Sequence, residues 1–514
     1  MNLIKLKNIK EKGLMMNTLR TYSSLTIVLF VTILCLSFNS IAIGQSVVTC
    51  QDAELQSGNG EDLEVTGTCM VGAGTYNYRY VNIYNGGELI FDDAVIDFWT
   101  SSILIENNSA LIADSIGNNG LLTIHLYGAD DSTSGGVPIS CKTDSMCGVP
   151  ANIWNSNGSQ KFDIPDSGNV NDYFYAYDNL PYYVNGVNSP DNQGFFGHKV
   201  LAVSYGGTLI LNGVKGSSVG NLDPSDSGTS WARLNGTINS TNNSLTLDRA
   251  VDWEQDDQIV VTTTDYLPGH SEQRTISSIS SDGKTITVDS NFEHIHNGIK
   301  YDIKNDKRNT DGIGRLGLKF DKAETRAAVA LLTRSIQIVS EGKSFNENLP
   351  FDGSPDDYYG GHTIFRQGFK QVQIQGVEFF QMGQGGRLGR YPVNFRLARK
   401  TPSDTFLRDN SIHDSMTRWI TLQGTHGVLL ERNVGYKSIG HGFYLEDGTE
   451  IENAFYSNIG IFARAAVDNI QNPRKVPGIL SAPGQVTQQQ LGKENVPFHS
   501  DFHHPTIFWI MNSW

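Results

Sequence analysis

Apolar and polar residues alternate along most of this chain, in short runs broken by glycine, and a period of two predicts half-buried strands rather than helices. Gly86-Gly87-Glu88-Leu89-Ile90-Phe91 returns as Gly206-Gly207-Thr208-Leu209-Ile210-Leu211, each a turn leading into a strand. Residues 101–113 (SSILIENNSALIA) alternate in the same way. Residues 128–200, rich in Gly, Ser, Asn, Asp and Pro, read as an ordered loop insertion. Arg274 to Val288 predicts a hairpin that turns at Asp282-Gly283. Residues 327–339 (AAVALLTRSIQIV) begin like a helix and end like a strand; they are assigned to strand.

A second, longer period lies over the first. Leu407 to Ser415 aligns with Leu430 to Ser438 and again with Phe455 to Ala463. Asn410, Asn433 and Asn458 fall at matching places, 23 and 25 residues apart, and Ile420-Thr421-Leu422 matches Phe443-Tyr444-Leu445. Repeats of this length, built of short strands and stacked asparagines, predict the rungs of a parallel β-helix. The chain then divides into a β domain with a loop insertion (46–225), a β segment with the hairpin (226–310) and a parallel β-helix (311–514). Because residues 505–514 (PTIFWIMNSW) offer no polar cap, that helix is expected to be incomplete at its end.

Composition agrees with an all-β chain. Glycine is 53 of 514 residues and charged residues are 18%, which excludes a coiled coil or a disordered tail. A net charge of −15 argues against a nucleic-acid partner. The charge is uneven: residues 361–470 hold 12 Lys/Arg against 10 Asp/Glu. Arg387, Arg390, Arg396, Arg399, Lys400 and Arg408 crowd together with Asp404 as their counter-charge. Arginine grips carboxylates bidentately, so this run suits an acidic polysaccharide; a solvated basic loop is the plain alternative.

Residues 1–44 read as a targeting segment. Lys5, Lys7, Lys10, Lys12 and Arg20 precede the apolar run Leu25 to Leu36, and Ala42-Ile43-Gly44 resembles a cleavage site. The segment is a signal peptide of a secreted protein or, if uncleaved, an anchor holding it at the cell surface. In that oxidising setting Cys50–Cys69 and Cys141–Cys147 are expected as disulfides, with free buried thiols as the alternative. Asn107, Asn157, Asn235, Asn239 and Asn242 head glycosylation sequons.

Neither an HExxH zinc motif nor a Walker A loop occurs. The His294-Ile295-His296 pair shares a face on a strand, but a lone pair is more often structural than metal-binding. The 23-residue offset makes a sharper case. It sets Arg418 beside His441, Gln423 beside Glu446, His413 beside Tyr436, and Asp414 beside Lys437, on rungs ~4.8 Å apart. With Asp447, these residues supply paired carboxyls, His and Tyr. Such a set suits glycosidic hydrolysis, or a lyase that removes a proton beside a uronic carboxylate. Their plain alternative is structural pairing between rungs.

Three stretches, 360–395, 411–428 and 433–450, resemble the family of transmembrane protein 2 and the cell-migration-inducing, hyaluronan-binding protein, with fibrocystin a more distant relative. Residues 46–300, through GGELIF, GGTLIL and 252–273 (DWEQDDQIVVTTTDYLPGHSEQ), resemble that family's eight-glycine domain. The resemblance implies an extracellular, right-handed parallel β-helix that binds and depolymerises hyaluronan, with calcium implied in at least one member. The motif residues that match are His413, Asp414, Tyr436, His441, Glu446 and Asp447; Arg387, Arg390, Arg396 and Arg418 would hold sugar carboxylates. One stretch departs. The family's Tyr-Pro-Ile-His-Phe-His reads Tyr391-Pro392-Val393-Asn394-Phe395-Arg396, so both histidines are replaced. The expected function is binding and hydrolysis of hyaluronan or a similar acidic polysaccharide; the alternatives are a non-catalytic matrix or adhesion module and a polysaccharide lyase.

Overall fold

The computed structural model describes residues 46–128, 139–142, 183–184, 187–188, 196–217, 228–265, 267–304, 321–340, 359–385, 389–446, 448–464 and 505–510. Its strands wind into three parallel ladders. The first runs from Val47–Cys50 through Ser102–Ile105, Val200–Val203, His362–Arg366, Val393–Lys400, Ile420–His426 and Phe443–Leu445 to Phe508–Trp509. The second includes Glu88–Phe91, Ala110–Ile116, Thr208–Gly213, Gln371–Gln375, Phe406–Arg408 and Leu429–Glu431. The third includes Val95–Thr100, Leu121–Leu126, Ile336–Ser340, Val377–Phe380, Ser411–His413, Val434–Ile439 and Ile459–Arg464. Each coil visits the three in turn, which is a parallel β-helix.

Alternation drives the winding. In Thr208–Gly213 the buried and half-buried positions alternate, and the buried ones stack on the same positions of neighbouring coils. Val71, Phe91, Ala113, Leu211, Ile374, Leu407 and Leu430 form one such inward column. Each fully buried aliphatic or aromatic side chain of this kind is worth about 1.5–3 kcal/mol.

The bend from second to third ladder explains the stacked asparagines. Asp409, Arg432 and Ser457 each take the left-handed conformation, φ 53° in all three, which breaks the strand and swings the chain. The next residue is the asparagine, whose amide replaces the backbone bonds lost at the bend. Asn410 Nδ2 donates to Asn433 Oδ1 at 2.9 Å, and Asn433 Nδ2 donates to Asn458 Oδ1 at 2.9 Å. Ladder register confirms the sequence offset, with Ile420 opposite Phe443 and Ser411 opposite Val434.

The division along the chain differs from the one expected. Parallel pairing starts at Val47 and continues through the region assigned to a separate first domain. The middle segment is an insertion between Thr208–Gly213 and Ile336–Ser340, an antiparallel sheet of six strands. Its edge strands meet at the bridge Leu234–Leu247, and Trp253, Phe292 and Ile276 lie in its core. The hairpin is present: Glu272–Ile279 pairs with Thr285–Val288, and Gly283 turns at φ 67°. The 327–339 stretch is two strands, not one. Ala328–Leu331 belongs to the insertion and Ile336–Ser340 to the helix. The insertion packs on the third ladder, where Val260, Ala330 and Leu332 meet Val434, Tyr436 and Ile461.

Candidate functional site

Long connections (127–199, 341–361, 381–392 and 465–507) all join the third ladder to the first in chain order. Register fixes what the outward face of the first ladder displays. Asn394, Thr421, Tyr444 and Trp509 are ladder partners in sequence and form one outward column. Two residues on, Arg396 pairs with Gln423, and Glu446 follows Leu445 in the next coil. At the turn just before these strands stand Tyr391, Arg418, His441 and Thr506.

The columns interlock. The Arg418 guanidinium lies 3.5 Å above the Tyr444 ring and 5.1 Å from the Tyr391 ring, donates to the Tyr391 hydroxyl at 3.3 Å, and sits 3.7 Å from Glu446 Oε2. His441 stacks on Tyr444 at 5.1 Å and against Trp509 at 4.9 Å. Its Nδ1 accepts from the Thr506 backbone N–H at 2.9 Å, so in the neutral ring the proton sits on Nε2. Arg418, His441 and Tyr391 are buried, while Glu446, Arg396, Gln423 and Trp509 reach solvent in part. The arrangement offers stacking surfaces, one carboxylate held by a guanidinium, and a second cation beside it.

His413, Asp414 and Tyr436 do not belong to this face. His413 and Tyr436 are partners on the third ladder, under the insertion. His413 Nδ1 meets Asp414 Oδ2 at 3.0 Å and its Nε2 meets Glu378 Oε1 at 3.1 Å. Burial opposes charging of the ring, but the two carboxylates outweigh it and push its pKa up to about 9. A charged, enclosed histidine between two carboxylates is a structural tie. The offset had identified axial neighbours correctly, but not the face on which they stand.

The basic run is likewise distributed. Arg408 lies on the second ladder and pairs with Glu431 at 3.0 Å, and Lys400 pairs with Glu452. Arg390 is buried at the site's edge against Gly197. Arg387 and Asp447 lie outside the described residues, as do Cys147, Asn157 and the 1–44 segment. Cys50–Cys69 is a disulfide, and Cys141 is disulfide-bonded. Asn235, Asn239 and Asn242 are exposed, whereas the half-buried Asn107 donates to Asn85. His296 is enclosed by Glu272 and the Thr262 carbonyl, and His294 stacks on His270. Among the described residues no group of three or more His, Cys, Asp or Glu is placed to hold a metal ion.

Sequence reasoning missed Tyr391, Tyr444, Trp509 and Thr506. Extending the offset one coil back or forward was the available signal, but the connections at 381–392 and 465–507 hide it.

An all-β parallel helix with a polar and aromatic lattice on one outward face is the class this structure defines. Residues 358–514 match the family model described as CEMIP beta-helix. A Dictyostelium discoideum protein is 33% identical over 292 residues, covering 54% of this chain and 24% of its own length. The Mus musculus cell migration-inducing and hyaluronan-binding protein is 29% identical over 291 residues, covering 54% of this chain and 19% of its own. The Homo sapiens cell surface hyaluronidase CEMIP2 is 33% identical over 228 residues, covering 42% and 15%. The chain spans about a quarter or less of the length of the first curated relatives it matches.

Proposed function

We propose that this chain binds an acidic polysaccharide of the hyaluronan class along the outward face of the first ladder, outside the cell, and hydrolyses it there. The observation that carries the reading is the Arg418–Glu446 pair set among Tyr444, His441 and Trp509, with Arg396 alongside. Sugar rings stack on the aromatic faces, and the arginines meet the carboxylates of the polymer. Glu446, 3.7 Å from the Arg418 guanidinium, is the carboxylate placed to activate water or to attack the anomeric carbon. Asp447, the next carboxyl in sequence and outside the described residues, is the acid we assign to protonation of the leaving oxygen. His441 Nδ1 accepts the Thr506 N–H, so the neutral ring offers its Nε2–H to the sugar rather than a base at Nδ1. The names of the mouse and human relatives support the ligand class. Among the described residues no helix is long and apolar enough to cross a membrane.

The test is Glu446→Gln in the full chain, with high-molecular-weight hyaluronan. Cleavage should fall at least a hundredfold while co-elution with the polymer persists; unchanged turnover would remove Glu446 from the mechanism. A binding module without catalysis is the second reading. It is favoured by the commitment of His441 Nδ1 to Thr506, and by Asn394 and Arg396 standing where the family has histidines.

A further inference from the structure

Both residues that depart from the resembling family's stretch, Asn394 and Arg396, lie on the outward face just described, and they act on the same neighbour. Asn394 is fully enclosed, and its Nδ2 donates to the Gly389 carbonyl at 2.9 Å. Gly389 in turn lies against the Arg396 guanidinium: a Cβ placed there would stand 2.5 Å from Nη1 and 3.0 Å from Cζ. Its φ of 77° also belongs to the left-handed region. Only glycine gives this contact without strain. On the other side Arg396 Nη1 donates to Gln423 Oε1 at 3.0 Å.

The partner on that side is neutral. Among the described residues no carboxylate comes within the 4.0 Å of an ion pair with Arg396. Nearby cations differ: Arg418 has Glu446, Arg408 has Glu431, Arg432 has Asp409 and Lys400 has Glu452. Among the described residues this half-buried guanidinium thus has no counter-charge, while Gln423 and Gly389 bound it. A guanidinium carries five donors, so one bond to Gln423 leaves the fork available. Holding it in place beforehand removes much of the rotamer entropy that binding would otherwise cost.

We propose that Gly389, Asn394 and Gln423 form a cradle that makes Arg396 the specificity-determining residue of this groove, selecting carboxylate-bearing sugar polymers over neutral ones. Asn394 and Gln423 are positioning residues; Arg396 makes the contact. The proposal rests on the polysaccharide reading above and adds which side chain reads the charge.

The test compares hyaluronan with its methyl ester, the same polymer with the carboxylates neutralised, binding to the full chain. Wild type should prefer the acid. Arg396→Lys keeps the charge but loses the planar fork, Gln423→Met removes the neutral acceptor, and Gly389→Ala pushes the guanidinium out of its plane. Each should lower the preference roughly tenfold, with affinity for the ester within about twofold of wild type. A purely structural role would weaken both polymers together, and that result overturns the proposal, as does a preference unchanged in Arg396→Lys. A wild type that binds both polymers alike overturns this proposal alone. A wild type that binds neither removes the polysaccharide reading and this proposal with it.

Discussion

His413 offers a prediction whose sign follows directly from its two carboxylate partners. Its ring is fully enclosed between Glu378 and Asp414, and those carboxylates raise its pKa from the ordinary 6.5 to about 9. At ~1.4 kcal/mol for each tenfold gain in proton affinity, the protonated ring contributes about 3 kcal/mol to folding. The sign follows from the raised value. The contribution is complete below pH 6.5, is reduced to about 2 kcal/mol at pH 7.5, and vanishes as the pH rises through 9. His413→Gln removes the titration and leaves two enclosed carboxylates without their shared cation, so the variant is less stable at every pH. The informative quantity is the gap between wild type and variant. Urea unfolding of the full chain, followed by tryptophan fluorescence at pH 6, 7.5 and 9.5, should show that gap shrinking by about 3 kcal/mol across the range. A gap constant to within about 1 kcal/mol, or one that widens, would refute the structural role given to this histidine.

Two further predictions concern the framework. Asn433→Asp turns a donor into an acceptor opposite the Leu407 carbonyl and Asn458 Oδ1, both now 2.9 Å away, and should cost about 3 kcal/mol by urea midpoint; a loss below about 1 kcal/mol would show the asparagine column to be dispensable. Arg432→Met strips the buried Asp409 of its bidentate partner at 2.7 and 2.9 Å and should cost about 3–5 kcal/mol, with Asp409→Asn in the same chain recovering part of it. No recovery in the double variant would mean that the loss was one of packing.

Several features of the fold were legible because a parallel β-helix writes its axial period into the sequence. The 23-residue offset from Asn410 to Asn433, and from Ile420 to Phe443, is the observed register. Two things were hidden for physical reasons. An offset reports which residues lie above one another, but each coil has three sides. His413 over Tyr436 and Gln423 over Glu446 therefore looked like one site although they stand on different ladders. Connections of unequal length also carry the chain away between coils, which put Tyr391 and Trp509 out of phase with Arg418 and Tyr444. The stretch 327–339 misled because its first half completes the insertion's sheet and its second half re-enters the helix, with the enclosed Arg334 between them bonded to the Asp409 carbonyl.

The disposition of the arginines shows the same limit. Charge counted along the sequence marked 361–470 as basic, yet Lys400, Arg408 and Arg432 stand in ion pairs once the chain is wound. What remains is local: Arg418 against Glu446, and Arg396 in its neutral cradle. The acidic ligand proposed here would meet these groups on one face of a molecule whose net charge is −15.

The central claim is that this face takes an acidic polysaccharide. The most direct measurement incubates the purified chain with high-molecular-weight hyaluronan, with calcium and with chelator, and follows polymer length and protein co-elution by size-exclusion chromatography. The account predicts co-elution and progressive shortening of the polymer. Co-elution at constant length would leave the binding and contradict the hydrolysis, and the absence of both would contradict the account.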